Sequence, residues 1–576
     1  MTTQLSERAW IGWAITALVL VVYMPTLAFQ QIGYDDHWLW SETSPLRTID
    51  SDTLRLIWFE LDARARHDIG TEYLPIRDLF VALDMRVWGA NEHGPHLTQL
   101  VLYALSVLGI GKLLVRFGMR RDIAWLATLL WALHPLHVES VAWLSERKGV
   151  LAGVFVIATG HAWVRHRESG RARWLVVAAA CAIAGTWSKA PAMFAPAMFS
   201  LWDALLLAES RGRWRTIVVV NAAALLAALP VVAVALGGGI VDGELSQPPD
   251  GRVTTAVGAL GHYVLGAVLA RTPAIAYPIQ TTGASPLELA IGVAVVAGAI
   301  ALAWWRADGR QWRLAVLGWA VLAYLPISHV LTRIHIAVAD RYVYLWLLAP
   351  CVGVAWLLLR LQGALRVIAI SALAAGLAFA TFRAERAWSS SEALYERALA
   401  SSPGDSRAAR SLAALLFTRD DTTLALDVID RALAHTPNDP YLLGQRAELL
   451  DHLHRIPESL EAARRAADSG HASLLWRYAD LLAKHGDLDR ALPFAEQAVK
   501  RRPEVAVYAW RHIQILVALG RLDDAKRAGE ALVVAHPSSA SHIVLARVLD
   551  ARGEHGAAEA ERFIAATIYG VREVGR

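Results

Sequence analysis

Two adjacent carboxylates, Asp35 and Asp36, are the first residues of this chain that could do chemistry. They follow an apolar run from Trp10 to Phe29 that contains no charged residue. At about 1.5 Å per residue, a helix of this length spans a hydrocarbon core of roughly 30 Å. Carboxylates at the mouth of a membrane helix are costly to keep near lipid, so we interpret them as functional. The alternative is a hydrated loop start with no role.

A second polar group, His134, His137 and Glu139, stands where another apolar run ends. Side chains this polar do not suit a lipid-facing helix end, so they are expected to face a cavity. Histidine and glutamate also bind zinc, but this spacing is no established ligand set and lacks a fourth ligand. We therefore predict no metal.

Cations accompany both groups. Arg77 lies in the first long loop, and the other candidates are Arg147, Lys148, Lys189 and the run Asp340-Arg341-Tyr342. Arg333 and His335 precede that run. Most of these cations fall on the side of the membrane where positive charge is disfavoured, and a bound phosphate would explain their presence. Ion pairs with nearby acids are the alternative for each one.

The composition places most of the chain in a bilayer. Of 576 residues, 55% are hydrophobic and 23 are tryptophan, and the mean hydropathy is +0.36. This is too apolar for a soluble protein of the same length. The pI is about 9.0, but the arginines lie in short loops between apolar runs, so we exclude nucleic acid as a partner.

Apolar runs predict about eleven transmembrane helices. A further run, Val253–Ala270, is either another span or a surface-lying or re-entrant helix, and Arg252, His262 and Arg271 favour the second interpretation. The predicted spans are Trp10–Phe29, Leu97–Phe117, Ile123–Val141, Val150–Val164, Trp174–Trp187, Pro191–Ala208, Ile217–Leu236, Leu287–Trp305, Leu314–Leu331, Tyr342–Leu359 and Val367–Phe382.

Arginine clusters in alternate loops set the orientation. Arg116, Arg120 and Arg121 fill one such loop, and Arg211, Arg213 and Arg215 fill another. The positive-inside rule then places the N-terminus in the cytoplasm. With an odd number of spans, the long loop 30–96 and everything after Phe382 face the outside. We predict a bacterial inner-membrane protein with a periplasmic C-terminal region.

The C-terminal region, residues 383–576, is repetitive. The step from Pro403 to Pro437 is the same as the step from Pro503 to Pro537. Paired helices that recur at this step, about 34 residues, are typical of tetratricopeptide (TPR) repeats, and we predict about five of them. Such an array leaves a concave surface that suits an extended peptide. The alternative role is stabilisation or dimerisation.

Taken together, these motifs resemble bacterial relatives of the transmembrane-and-TPR O-mannosyltransferases, in the GT-C glycosyltransferase superfamily. The resemblance covers nearly the whole chain. Its most specific element is His134-Pro135-Leu136-His137-Val138-Glu139-Ser140-Val141. One motif departs from the family pattern. Where the family has Arg-Pro after the first long loop, this chain has Tyr73-Leu74-Pro75, and the arginine is displaced to Arg77. The other matching motifs are Tyr34-Asp35-Asp36, Ser145-Glu146-Arg147-Lys148, Ser188-Lys189 and Ala339-Asp340-Arg341-Tyr342-Val343-Tyr344.

The resemblance implies an all-α GT-C membrane domain over residues 1–382, followed by a TPR domain. It implies an inverting enzyme that moves a sugar from a polyprenyl-phosphate carrier to a Ser or Thr hydroxyl of an exported protein, such as a pilin or envelope protein. Asp35 or Asp36 would be the base, and the cations would meet the donor phosphate. No cofactor or divalent metal is expected, because a monophosphate donor lacks two phosphates to chelate one.

Other functions stay open at this point. A ligase or polymerase of lipid-linked glycans uses the same carriers. A membrane-anchored TPR scaffold and a lipid-linked-sugar transporter would bind without catalysis. A scaffold needs no acidic pair at a cavity mouth, and a transporter should show paired sites on both faces of the membrane.

Overall fold

The structure, a computed structural model, describes residues 9–567 apart from 34, 42, 63–64, 90, 92, 209–211, 238–249, 271–273, 276, 306–308, 332–333 and 335. Tyr34, Arg333 and His335 of the predicted motifs lie outside the described residues. Every regular element in the described ranges is helical, which confirms the all-α prediction. The chain divides into two compact units, Met1–Ser402 and Pro403–Arg576.

The first unit consists of long apolar helices joined by short helices and 3-10 turns. Several begin with proline in the first turn, as at Pro75, Pro95 and Pro286, where the missing N–H is not needed. The α-helices are Ala9–Tyr23, Asp36–Trp40, Ser51–Trp58, Pro75–Trp88, Gly94–Arg116, Arg121–Ala132, Val138–Ala142, Arg147–Ser169, Ala172–Ser188, Ala195–Leu206, Arg213–Gly237, Arg252–Leu269, Ile279–Thr282, Pro286–Trp304, Arg310–Tyr324, Leu348–Leu358, Gly363–Glu385 and Ser391–Ser401.

The prediction of about eleven membrane helices is not supported. Within the described residues, six helices are long and apolar enough to cross a membrane. Three shorter apolar helices are Ala172–Ser188, Ala190–Leu206 and Leu348–Leu358. The six are Trp10–Ala28, Gly94–Arg116, Arg213–Leu236, Arg252–Leu269, Pro286–Trp304 and Gly363–Trp388.

Apolar runs overstate helix length where the backbone breaks. The predicted span Ile123–Val141 is helical only to Ala132, and a 3-10 turn at Pro135–His137 follows. Proline cannot donate the helical hydrogen bond, so the run divides there. Conversely, Arg252–Leu269, expected to lie on the surface, is one of the six long apolar helices. Six is an even number, so these six helices alone would leave both ends of the chain on the same side of the membrane. The predicted periplasmic C-terminal region requires an odd number of crossings.

The segment after the first long helix folds into a small cap. Its helices Ser51–Trp58 and Pro75–Trp88 pack over a core that includes Leu46, Ile57 and Val81. Asp50 caps the first of these helices by accepting from the Thr53 amide at 2.9 Å. The cap carries Asp36 and Arg77, so its packing positions both of them.

The described residues of the second unit, 403–567, form five consecutive helix pairs, as the repeat period predicts. The turn within each pair contains a residue with positive φ, and these residues are Asp420, His454, Gly486, Gly520 and Gly553. The pairs are Ser406–Thr418 with Thr422–His435, Pro440–His452 with Ile456–Ala467, Ala472–Lys484 with Leu488–Arg501, Ala506–Ala518 with Leu522–Ala535, and Ser539–Ala551 with His555–Thr567.

Candidate functional site

A cavity of about 310 Å³ in the first unit gathers several of the predicted site residues. Its charged lining consists of Lys148, Lys189, Arg341, Glu72 and Glu146, three cations and two carboxylates. The rest of the lining is mainly apolar and includes Leu74, Pro191, Met198, Val231, Ala235, Ala323, Ile327 and Leu345. The cavity thus joins a net positive polar lining to apolar walls, part of which come from the long apolar helix Arg213–Gly237.

Lys189 and Glu146 form an ion pair at the centre of the polar lining. Lys189 directly follows the helix Ala172–Ser188, and Glu146 directly precedes the helix Arg147–Ser169. The Glu146 side chain is fully buried, whereas 17% of the Lys189 side chain is exposed. Burial lowers the pKa of Lys189, and the Glu146 carboxylate opposes this shift. A β-carbon at Gly149 would lie 2.5 Å from Glu146 Oε1, so a side chain at this position would displace the Glu146 carboxylate.

Lys148 belongs to a second chain of ion pairs that leads into the cap. Its Nζ donates to Glu72 Oε2 at 2.7 Å, and Arg77 Nη1 donates to the same oxygen at 3.0 Å. Arg77 Nε donates to Asp78 at 2.8 Å, and Arg66 Nη2 reaches the other oxygen of Asp78 at 2.5 Å. Burial favours protonation of Glu72, but Lys148 and Arg77 outweigh it and hold the Glu72 pKa at about 2. Arg77 therefore orients Glu72 and does not itself line the cavity.

Arg341 lies between two buried carboxylates. Its guanidinium pairs with Glu139, its backbone N–H donates to Glu139 Oε2 at 2.8 Å, and its Nε is 3.8 Å from Glu146 Oε2. The guanidinium carbon also lies 5.4 Å from the Trp143 ring centre and 5.1 Å from that of Tyr342. The ion pair with Glu139 is the alternative that the sequence left open for this cation. The arginine nonetheless lines the cavity, as does Tyr342.

Asp36 fixes the segment that carries Glu146. Its Oδ1 accepts from the Ser145 amide at 2.9 Å and from the Ser145 hydroxyl at 2.5 Å, while its Oδ2 accepts from the Ile32 amide at 2.8 Å. The side chain is buried, which raises the pKa of Asp36 to about 6 in spite of these bonds. Asp35 is half-buried and directly precedes the helix Asp36–Trp40. Neither aspartate lines the cavity.

Four other predicted site residues lie outside the cavity lining and support the fold around it. Arg147 is buried, where it pairs with Asp84 and donates to the Pro95 carbonyl at 2.5 Å. His134 contacts the Ala267 carbonyl at 2.9 Å through Nε2. The His137 ring packs against Trp131 and Tyr344, at centroid distances of 4.6 and 4.8 Å. Asp340 accepts from the Tyr277 hydroxyl at 2.5 Å. In the described residues, no group of three His, Cys, Asp or Glu side chains is placed to hold a metal ion.

Sequence reasoning missed two residues of the polar lining, Glu72 and Glu146, and all of the apolar wall. Glu146 was visible as the acid within Ser145-Glu146-Arg147-Lys148. Glu72 directly precedes the Tyr73-Leu74-Pro75 motif. For Glu146 the available signal was its position beside Arg147 and Lys148, because cations in a weakly hydrated site need counter-charges. Glu72 has no adjacent cation in the sequence that could have indicated it.

Comparisons with known proteins identify a repeat family in the C-terminal region. A tetratricopeptide-repeat family model matches residues 378–440 and 445–506, so the C-terminal region carries TPR repeats. Similar solved structures include YrrB, a TPR protein with an unusual peptide-binding site, which is 17% identical with a TM-score of 0.27 and covers 31% of this chain and 93% of its own. MamA from Desulfovibrio magneticus RS-1 is 18% identical with a TM-score of 0.27, and the match covers 29% and 97% of the two chains.

Pseudomonas aeruginosa pilF is 14% identical with a TM-score of 0.27, and the match covers 31% of this chain and 84% of its own. At these scores the likenesses carry no argument about function. No curated protein matches the sequence. The family model matches residues 378–440 and 445–506 only, so it does not test the resemblance of residues 1–382 to the GT-C transferases.

Proposed function

We propose that the protein is a GT-C-type membrane glycosyltransferase that moves a sugar from a polyprenyl phosphate to a Ser or Thr hydroxyl of an exported protein. The observation that carries the proposal is the cavity, where three cations and two carboxylates lie beside an apolar wall. A polyprenyl phosphate combines an anionic head with a hydrocarbon tail, and this lining offers a surface for each.

The donor phosphate is bound by Lys148, Lys189 and Arg341 in this proposal. Each of these cations also contacts a carboxylate, and one of those three carboxylates, Glu139, lies outside the cavity lining. The paired carboxylates hold the cations in place before the donor arrives. Preorganised cations stabilise the charge that develops on the leaving phosphate without having to reorganise during the reaction.

The base is Asp35 in this proposal, and Asp36 is a positioning residue. Both oxygens of Asp36 already accept hydrogen bonds, and its side chain is buried, so an incoming hydroxyl would have to displace them. Asp35 is its more exposed neighbour. The acceptor oxygen attacks the anomeric carbon as its proton passes to Asp35, and the bond from that carbon to the phosphate oxygen breaks. The sugar is transferred with inversion, and polyprenyl phosphate leaves.

The TPR unit supports a protein acceptor over a glycan acceptor, because repeats of this kind present a surface for extended peptides. We place both the cavity and the TPR unit on the outer side of a bacterial inner membrane. A non-catalytic scaffold would not need the charged cavity, and a glycan ligase would not need the repeats.

Intact-mass spectrometry of envelope and pilus proteins tests the proposal. Deletion of the gene should remove a sugar-sized mass from at least one exported protein. The full chain should restore it, whereas Asp35→Asn should not. Unchanged protein masses together with an altered surface polysaccharide would assign the enzyme to glycan ligation. Unchanged masses and unchanged polysaccharide would overturn the proposal in favour of a scaffold or a transporter.

A further inference from the structure

A second cavity, of about 520 Å³, lies within the TPR unit and has a basic lining. Three successive repeats contribute their first helices to it: Ser406–Thr418, Pro440–His452 and Ala472–Lys484. Its charged residues are Arg407, Arg410, Arg477 and Glu448, so positive charges exceed negative ones by two.

Two of the three arginines, Arg410 and Arg477, are held in place by the neighbouring repeat. The Arg410 guanidinium lies 5.2 Å from the Tyr441 ring centre, and the Arg410 carbonyl accepts from Gln445 Nε2 at 3.1 Å. Arg477 forms an ion pair with Glu448. Fixed guanidinium groups lose less conformational entropy on binding, and their planar shape suits carboxylates.

The nearby acid Asp439 interacts electrostatically with Arg410, but it does not line the cavity and its carboxylate is held by other groups. Its Oδ1 accepts from the Ser406 hydroxyl at 3.0 Å and from the amides of Tyr441 and Leu442 at 3.0 and 2.9 Å. The carboxylate is therefore committed to capping the helix Pro440–His452.

The helices Pro440–His452 and Ala472–Lys484 pack closely against each other at Gly444. Gly444 lies in the lining, and a β-carbon there would come within 2.8 Å of the Leu474 side chain. Three neighbouring helices span about 20 Å, which corresponds to about six residues of extended chain.

From this geometry we infer that the groove formed by Arg407, Arg410, Tyr441, Gly444 and Arg477 binds an extended acidic segment of a partner protein. Carboxylates spaced along the segment pair with the arginines. The inference deepens the proposed function by giving the chemistry of the segment through which an acceptor is recognised. The inference depends on the proposed function in one respect, because it takes the partner to be the protein that receives the sugar.

Fluorescence anisotropy with the full chain in detergent tests the inference without any sugar donor. The probes are a labelled peptide of about ten residues that alternates glutamate with alanine, the same peptide with lysine for glutamate, and an oligouridine of similar length. The acidic peptide should bind, more weakly as ionic strength rises, and the lysine peptide should not. Because only binding is measured, a transferase that fails to transfer sugar would still give this result.

The double variant Arg407→Gln/Arg410→Gln should weaken binding of the acidic peptide by about ten-fold or more. Arg407→Lys/Arg410→Lys, which retains the charge, should recover part of the loss. The matched control Arg431→Gln/Arg527→Gln removes two arginines whose side chains are each 71% exposed and lie outside this lining, so it should leave binding unchanged.

Three outcomes would overturn the inference. One is equal binding of the lysine peptide, and another is unchanged affinity in the glutamine double variant. The third is tighter binding of the oligouridine that is lost in the same variant, which would assign the groove to nucleic acid.

Discussion

Replacing Lys189 by methionine should separate donor binding from stability. The lysine pairs with Glu146, whose side chain is fully buried, and it lines the cavity where we place the donor phosphate. Methionine removes the charge and keeps most of the side-chain volume. A charged hydrogen bond is worth roughly 1.5–3 kcal/mol, so affinity for a polyprenyl phosphate should fall about ten- to hundred-fold.

The same change should also destabilise the fold, because it leaves a buried carboxylate without its ammonium partner. Arg341 Nε remains 3.8 Å from the other oxygen of Glu146 and compensates in part. Breaking a buried pair costs about 3–5 kcal/mol, and we expect the lower end. The double variant Lys189→Met/Glu146→Gln removes both charges. It should recover most of the stability but none of the affinity.

Calorimetric titration of the full chain in nanodiscs with a polyprenyl phosphate measures the affinity, and thermal unfolding measures the stability. Lys500→Met is the matched control, because this exposed lysine lies in the TPR unit. It should change neither quantity. If the double variant binds polyprenyl phosphate as tightly as the unaltered chain, Lys189 is a structural ion-pair residue and the reasoning about the cavity is wrong.

Three further predictions concern the aspartates and the membrane topology. Asp35→Asn should lower transfer by about 10²–10⁴-fold while donor affinity stays unchanged, and a normal rate would remove Asp35 from the mechanism. Burial raises the pKa of Asp36 from its usual value near 4 to about 6, so its contribution to stability is present at pH below about 4 and is lost as pH rises through 6. The free energy of unfolding, measured at several pH values, should fall by up to about 3 kcal/mol over this range. Asp36→Asn should abolish this pH-dependent loss. Identical pH dependence in both proteins would contradict the raised pKa of Asp36. A reporter that is active only in the cytoplasm, fused after Arg576, should be silent, and strong activity would place the TPR unit inside.

Local sequence determined the second unit because each TPR repeat needs the same small set of contacts. Two helices and a tight turn recur at a constant step, so the period can be read without knowledge of distant residues. The turn residues Asp420 and His454 are one repeat apart, as are Gly486 and Gly520, and all four share the positive φ that the turn requires. The apolar composition was likewise available from the sequence alone, since it depends on no particular contact between residues.

The sequence predicted the length of each membrane helix less accurately. Hydropathy counts apolar residues, whereas a helix ends where its backbone hydrogen bonds stop. Pro135 lies inside an apolar run, and the helix before it ends at Ala132. A search for proline within each run would have shortened that span, but the bend that follows depends on the packing around it.

Only the tertiary structure decided which cations share the cavity. Arg147 and Lys148 are adjacent in sequence, yet Arg147 is buried against Asp84 while Lys148 reaches Glu72 at the cavity. Neighbouring side chains on a helix point about 100° apart, and packing against distant elements sets the rotation of the helix. Lys189 and Arg341 meet at Glu146 although they lie far apart in the sequence. The sequence thus supplied the candidate cations, whereas long-range packing selected among them and brought Glu72 and Glu146 to their side.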